Sequence, residues 1–178
     1  MSTEERNETN SKSTRVVFKV GDDISTDVIY PGRFMATVLP SETPQYAFAD
    51  HPEFNNRLSR KGIQPGSIVV AGNNFGCGSS REQAVSSLKG HDLTIVAKGF
   101  ARIFMQNAVN LGLRTIVCPG IEASEGDELE ITADRVLNKM TGKSYSTIPL
   151  PPARQEIIAA GGLIAYTKER LMTRKLTS

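Results

Sequence analysis

The sequence predicts an α/β fold, a mixed sheet whose parallel βαβαβ core carries an antiparallel addition. Three observations lead there. Residues 67–71 (SIVVA), 93–97 (LTIVA) and 115–117 are short apolar runs of strand length, rich in β-branched side chains. Segments of helical character separate them, and strand, helix, strand, helix, strand is the pattern of parallel strands joined by crossovers. Beyond Pro119 the texture changes. Residues 128–132, 135–139 and 144–150 alternate or pair as strands with no helix between them, as antiparallel neighbours do.

Taken in order, the elements have local reasons. Residues 1–14 (MSTEERNETNSKST) are polar and lack an apolar stretch, so they read as a disordered tail, neither a secretory signal nor a transit peptide. Val16, Val17, Phe18 and Val20 form a strand that ends at the turn Gly21-Asp22-Asp23. The next stretch closes on Pro31-Gly32. From residue 33 to 63 the pattern is irregular, and Pro40, Pro44 and Pro52 break any long helix; a short helix near residues 45–49 is expected, within a loop that moves over a site. A helix over residues 80–88 follows the glycine-rich loop after residue 71. Phe100, Phe104, Ala108 and Leu111 recur at helical spacing, with Gly112 as the stop. A last helix is expected over residues 153–160, before the Gly161-Gly162 break. The domain is placed at residues 15–166, and the basic, amphipathic residues 167–178 are read as a tail or solvated helix end.

Composition narrows the function. With 178 residues, 39 % of them hydrophobic and 22 % charged, one soluble globular domain is expected. The net charge of +2 comes from interspersed signs, which suggests neither nucleic acid nor an anionic membrane as a partner. No apolar run approaches the ~20 residues of a membrane span. Cys77 and Cys118 are too few for a disulfide framework, so both are read as reduced and the protein as cytoplasmic.

Residues 71–84 (AGNNFGCGSSREQA) carry the chemistry. Gly72, Gly76 and Gly78 let the backbone turn sharply at the carboxyl end of a strand, where open α/β sheets bind ligands. The helix that follows offers free N–H donors and a positive dipole end, both suited to an anion. Arg81 is misplaced there for helix stability, but suited to an external carboxylate. The spacing fits neither a P-loop nor a dinucleotide fingerprint. A second reading stays open on the same residues: Ser79-Ser80-Arg81-Glu82 has the form of a capping box, Ser79 capping the helix and Glu82 reaching back. Cys77 reads as a small loop residue, His51 and His91 as surface histidines, and Arg102 as a salt-bridge former, with a side chain facing the site as its alternative.

GNNFGCGSSRE (residues 72–82) resembles the motif of the mobile domain of the aconitase superfamily. Gly21-Asp22-Asp23-Ile24-Ser25-Thr26-Asp27 with Pro31-Gly32 is similar to that family's N-terminal signature. Residues 98–104 (KGFARIF), Asn107, Gly112-Leu113 and residues 160–163 (AGGL) resemble its later blocks, in order, so the likeness covers about residues 16–163.

The resemblance implies a swivelling β/β/α domain of the aconitase C-terminal type. It implies a hydro-lyase that removes water from a hydroxy acid and re-adds it, moving the hydroxyl to the neighbouring carbon with a [4Fe-4S] cluster as Lewis acid. Two cysteines far apart in sequence cannot hold such a cluster, so no cofactor is expected on this chain and the cluster is expected on a separate large subunit. Carried over by position, Ser79 matches the serine base, and Ser80 and Arg81 match carboxylate-binding residues beside Gly78. Asp27 matches an aspartate that orients its neighbours. Gln83 stands where aconitases and bacterial leucine enzymes often have His, which points to the branch of shorter small subunits acting on isopropylmalate (leucine biosynthesis), homoaconitate or dimethylmalate.

In that branch the loop after Pro-Gly reads the substrate. Here it is Arg33-Phe34-Met35-Ala36-Thr37, with Ala36 where an arginine is usual; Phe34, Met35 and Ala36 favour an apolar substituent, while Arg33 offers a substitute guanidinium. Isopropylmalate is the leading substrate, with a related dehydratase or a non-catalytic anion-binding module as the alternatives.

Overall fold

The computed structural model describes residues 13–60 and 62–176. Seven strands form one mixed sheet in the order β4-β3-β2-β1-β5-β6-β7. β1 (Ser13–Lys19), β2 (Ile68–Ala71), β3 (Thr94–Ala97) and β4 (Arg114–Val117) are parallel. β5 (Glu128–Ile131), β6 (Arg135–Asn138) and β7 (Ser144–Ser146) extend the other side of β1, each antiparallel to its neighbour. The Ile148 amide donates to the Val117 carbonyl at 2.8 Å, so the chain after β7 meets β4 and the sheet curls back on itself.

The curl explains why the central strands are continuously apolar. Val17, Val69, Ala71, Ile95 and Ala97 face a core shared with the helices. Val16, Ile68, Val70 and Val96 face a second core inside the curl, closed by Cys118, Ile121, Leu129 and Val136. Strands buried on both faces need apolar residues at every position.

Among the described residues, α3 (Glu82–Gly90) and α4 (Arg102–Leu111) make the crossovers from β2 to β3 and from β3 to β4, and α4 stops at Gly112, which is left-handed (φ 74). α5 (Pro152–Ala159) and α6 (Leu163–Leu176) flank the Gly161-Gly162 break. The strand and helix pattern read from the sequence therefore holds, with four differences. β1 begins at Ser13, inside the expected tail; residues 1–12 lie outside the described residues. α6 starts before residue 167 and runs through Leu176, so residues 167–176 take the helix-end form of the two expected and continue a helix that begins inside the expected domain; residues 177–178 lie outside the described residues. The helix expected near residues 45–49 is a 3-10 turn, Thr43–Tyr46. Finally α2 (Pro52–Ser59) forms where Pro52 was read as a breaker. Proline at the first helical position loses no hydrogen bond, because that amide has no partner inside the helix.

The expected mobile loop over residues 33–63 is also a packed structure. Phe18 stacks on Phe54 at 4.1 Å and meets Phe48 edge-on at 5.3 Å, while Thr43, Ala47, Phe48, Phe54 and Leu58 are all buried. Aromatic burial on this scale anchors the segment to β1.

One glycine is required by packing. Gly76 has φ 82, and a Cβ there would lie 2.2 Å from Cγ of Phe104. Phe104 is buried, edge-on to Phe75 at 5.2 Å and stacked with Phe100 at 6.1 Å, so the ring has nowhere to go. Gly76→Ala is expected to destabilise the chain by about 3 kcal/mol or more, overpacking and left-handed strain together. A loss of stability in urea unfolding of less than a third of that would contradict the packing argument.

Candidate active site

Two loops leave the carboxyl ends of β1 and β2 and are joined along their length. The Gly72 amide donates to Gly21 O (3.0 Å), Asp23 to Asn73 O (2.9 Å), Gly76 to Ile24 O (2.7 Å) and Thr26 to Cys77 O (2.8 Å). Side chains tighten the seam: Asp22 accepts from the Asn73 amide at 2.6 Å, and Asp23 accepts from the Asn74 side chain at 2.8 Å. The Gly-Asp-Asp and Gly-Asn-Asn segments, far apart in sequence, are thus partners whose chemistry is mutual satisfaction. Gly72 is needed because a Cβ would fall 2.0 Å from the Asp22 carboxylate.

This seam brings α1 (Thr26–Ile29) against residues 78–81. Ser79 Oγ lies 3.0 Å from Thr26 Oγ1, and the Thr26 hydroxyl also reaches the Ser79 carbonyl at 3.2 Å. Arg81 donates through Nη1 to Asp27 Oδ1 and, at 3.4 Å, to the Tyr30 carbonyl. The Arg81 side chain is 14 % exposed, against 60 % for Asp27. Its Nε is buried with no acceptor, an unmet donor of the kind an anionic ligand satisfies. Nor do the amides of Ser79, Ser80 and Arg81 have an acceptor among the described residues. Ser79 and Ser80 are exposed. The site is an open face bearing two hydroxyls, a half-buried guanidinium and free N–H groups.

The capping-box reading does not survive. α3 begins at Glu82, its N-cap is Arg81, and no side chain caps it. Ser79 lies too far upstream, and its hydroxyl is turned to Thr26 instead. The sequence reading passed over Thr26, although it sits between Ser25 and Asp27 in the N-terminal block that had been singled out.

The hydrogen bond from Arg81 holds the Asp27 carboxyl below its ordinary value, outweighing the opposing effect of burial. A depressed carboxylate stabilises the fold at pH above its unfolded value and loses that contribution as pH falls through its folded one. With Asp27 more than half exposed, the contribution is no more than about 1 kcal/mol. Asp27→Asn should therefore be slightly less stable than the natural chain at pH 7, and the difference should shrink in acid, as pH falls through the lowered Asp27 value. Urea unfolding at pH 7 and in acid checks this; a gap that persists in acid would show that the pair is not its origin.

The loop after Pro31 adjoins the same guanidinium. A Cβ on Gly32 would lie 3.2 Å from both Arg81 Nη2 and Asp27 Oδ1. Arg33, however, turns away into a two-pronged pair with Asp50 (3.1 and 2.5 Å) and lies over the Phe34 ring at 4.6 Å. Phe34 stacks on Tyr46 at 4.1 Å, so it supports the loop more than it lines a pocket. Met35 is 46 % exposed, its carbonyl 3.5 Å from Gln83 Nε2, and Ala36 is exposed. The structure thus gathers Asp27, Gly78, Ser79, Ser80 and Arg81, brings Met35 to Gln83 beside them, leaves Ala36 exposed on the same loop and keeps Arg33 outside.

Of the remaining side chains, His51 packs edge-on against Phe18 and Phe48, and His91 Nε2 sits 2.8 Å from the Pro44 carbonyl. Arg102 makes no ion pair among the described residues, against the expected salt bridge.

An iron–sulfur cluster does not fit this chain's donors. No group of three or more His, Cys, Asp or Glu converges among the described residues. Both cysteines are free thiols, and burial pushes Cys118 up to about 11, which keeps it protonated and poor as a ligand. No helix among the described residues is long and apolar enough to cross a membrane.

Comparison with known proteins agrees with this geometry. The aconitase C-terminal domain model matches residues 23–120, which include Thr26, Asp27 and residues 78–81. The 3-isopropylmalate dehydratase small subunit of Thermodesulfovibrio yellowstonii is 43 % identical over 160 residues, 87 % of this chain and 93 % of the relative. The isopropylmalate/citramalate isomerase small subunit of Methanocaldococcus jannaschii is 41 % identical, with the same coverage. A crystal structure of a 3-isopropylmalate dehydratase from that organism superposes with a TM-score of 0.83 at 36 % identity, over 93 % of this chain and 98 % of the other. With the family model over residues 23–120 and relatives matched over most of their length, the chain belongs to the aconitase C-terminal domain family, among its 3-isopropylmalate dehydratase small subunits.

Proposed function

We propose that this chain is the small subunit of a hydro-lyase that interconverts 2- and 3-isopropylmalate in leucine biosynthesis, a reading supported by relatives named as small subunits of 3-isopropylmalate dehydratase and of an isopropylmalate/citramalate isomerase. The observation that carries the reading is the Arg81 guanidinium, half-buried with an unmet donor, beside the exposed Ser79 hydroxyl. Arg81, Ser80 and the free amides hold a substrate carboxylate, for which a planar fork is the best match. Ser79, as an alkoxide, takes the proton from carbon; that electron pair becomes the double bond as hydroxide leaves the adjacent carbon, and rehydration in the other sense completes the isomerisation. A serine alkoxide needs strong stabilisation, which Thr26 Oγ1 at 3.0 Å, the free amides and Arg81 supply. Asp27 positions Arg81 by taking one of its N–H groups. A cluster held by the large subunit would supply Lewis-acid assistance to the departing hydroxyl. A reducing, cytoplasmic setting suits both such a cluster and the two free thiols of this chain.

The substrate follows from the loop. Met35 and Ala36 present an apolar rim, and Arg33 is committed to Asp50, so an alkyl group is accepted and a charged side arm is left without a partner. The test mixes the purified chain with a reconstituted large subunit and measures kcat/KM for isopropylmalate, citrate and homocitrate. The chain alone should be inactive, and the complex should prefer isopropylmalate by at least about tenfold, the lower end of what one pocket contact provides. Arg33→Ala should not change that preference. A tricarboxylate preference that Arg33→Ala removes would give Arg33 the role denied to it here.

A further inference from the structure

The loop beside Arg81 has to be held in place by something other than substrate. Its own backbone provides part of the answer: Met35 N donates to Gly32 O (3.1 Å) and Thr37 N to Phe34 O (2.9 Å). Those bonds shape each turn but do not tie the loop to the body of the protein. Tyr30 does. It is fully buried, and its hydroxyl lies 3.1 Å from the Phe34 carbonyl and 3.4 Å from the Thr37 carbonyl. One proton serves two acceptors that bracket Met35 and Ala36. The ring meets Phe34 and Tyr46 edge-on at 6.5 and 6.1 Å, supporting the pair from beneath. At its other end, the Tyr30 backbone carbonyl accepts from Arg81 Nη1 at 3.4 Å. A single buried residue therefore touches both the carboxylate-binding arginine and the segment that borders it.

We propose that Tyr30 is a positioning residue for substrate selection, its hydroxyl clamping residues 34–37 so that Met35 and Ala36 present one fixed apolar rim beside Arg81. This rests on the reading of that loop as substrate-facing. Burial raises the phenol above its ordinary value, so the donor stays protonated across the working pH range. A fixed rim discriminates between alkyl groups because a loose one re-forms around whatever enters. The aromatic packing alone does not set the rim, since Phe34 and Tyr46 fix a side chain while the two carbonyls fix the backbone path.

The test uses Tyr30→Phe, which keeps the ring and removes only the hydroxyl. In the chain alone, hydrogen exchange at the Met35 and Thr37 amides should speed up at least tenfold, with the amides of β2 and β3 unchanged. In the complex with the large subunit, the preference for isopropylmalate over methylmalate should fall at least fivefold, through the KM for isopropylmalate more than through kcat. Unchanged exchange overturns the clamp whatever the substrate proves to be. Faster exchange with an unchanged preference makes the hydroxyl a fold contact and overturns its role in selection. Faster exchange, with neither acid turned over by the natural complex, supports the clamp and refutes the proposed function instead.

Discussion

Ser79→Ala in the reconstituted complex is expected to lose about 10³-fold in kcat, the middle of the range for a positioned general base. The fold should hardly notice. Ser79 is exposed, caps no helix and shares one hydroxyl contact with Thr26, so the stability cost is below about 1 kcal/mol. Had Ser79 been the N-cap of α3, the same change would have cost up to about 2 kcal/mol and stability would have fallen along with activity. The decisive measurement is therefore paired, with kcat from turnover and stability from urea unfolding of the same preparation. Near-normal turnover would remove Ser79 from the mechanism. Lost turnover with a collapsed urea midpoint would instead mean that the variant damages the seam.

Arg81→Lys should lower kcat/KM by roughly 10²-fold or more, since charge-assisted hydrogen bonds to a carboxylate contribute about 1.5–3 kcal/mol each and a lysine cannot offer the planar pair. The geometry adds a second reason. Arg81 spans from Asp27 to the Tyr30 carbonyl while keeping Nε and Nη2 for other use. A single ammonium that satisfies Asp27 has no rigid second arm to present. The loss should appear in KM, because the guanidinium holds the carboxylate in the ground state, and also in kcat, because a substrate held by one ammonium is less well aligned for the transition state. Equal KM and kcat for the natural complex and for Arg81→Lys, with isopropylmalate and with methylmalate alike, would mean that substrate binds elsewhere on this face.

The two results together separate chemistry from binding. Ser79→Ala should leave KM close to its natural value while kcat collapses, and Arg81→Lys should move both.

The secondary-structure pattern and the family likeness were legible in the order of residues alone. Continuous apolar runs such as SIVVA and LTIVA mark strands buried on both faces, and the glycines around Phe75 mark a loop that side chains would obstruct; these are local signals, readable without neighbours. The motif around Ser79 was legible for the same reason. Long-range contacts settled the rest. Which hydroxyl Ser79 meets depends on α1, 53 residues earlier, and that contact turned an expected helix cap into an exposed hydroxyl beside Thr26. Whether Arg33 serves the substrate depends on Asp50, whose pairing no local pattern announces. Pro52, read as a breaker, opens α2 because the segment it begins buries Phe54 and Leu58 against the aromatic cluster of β1. The physical reason is common to all three: local propensity ranks what a segment does alone, while burial and long-range pairing choose among the states it leaves open.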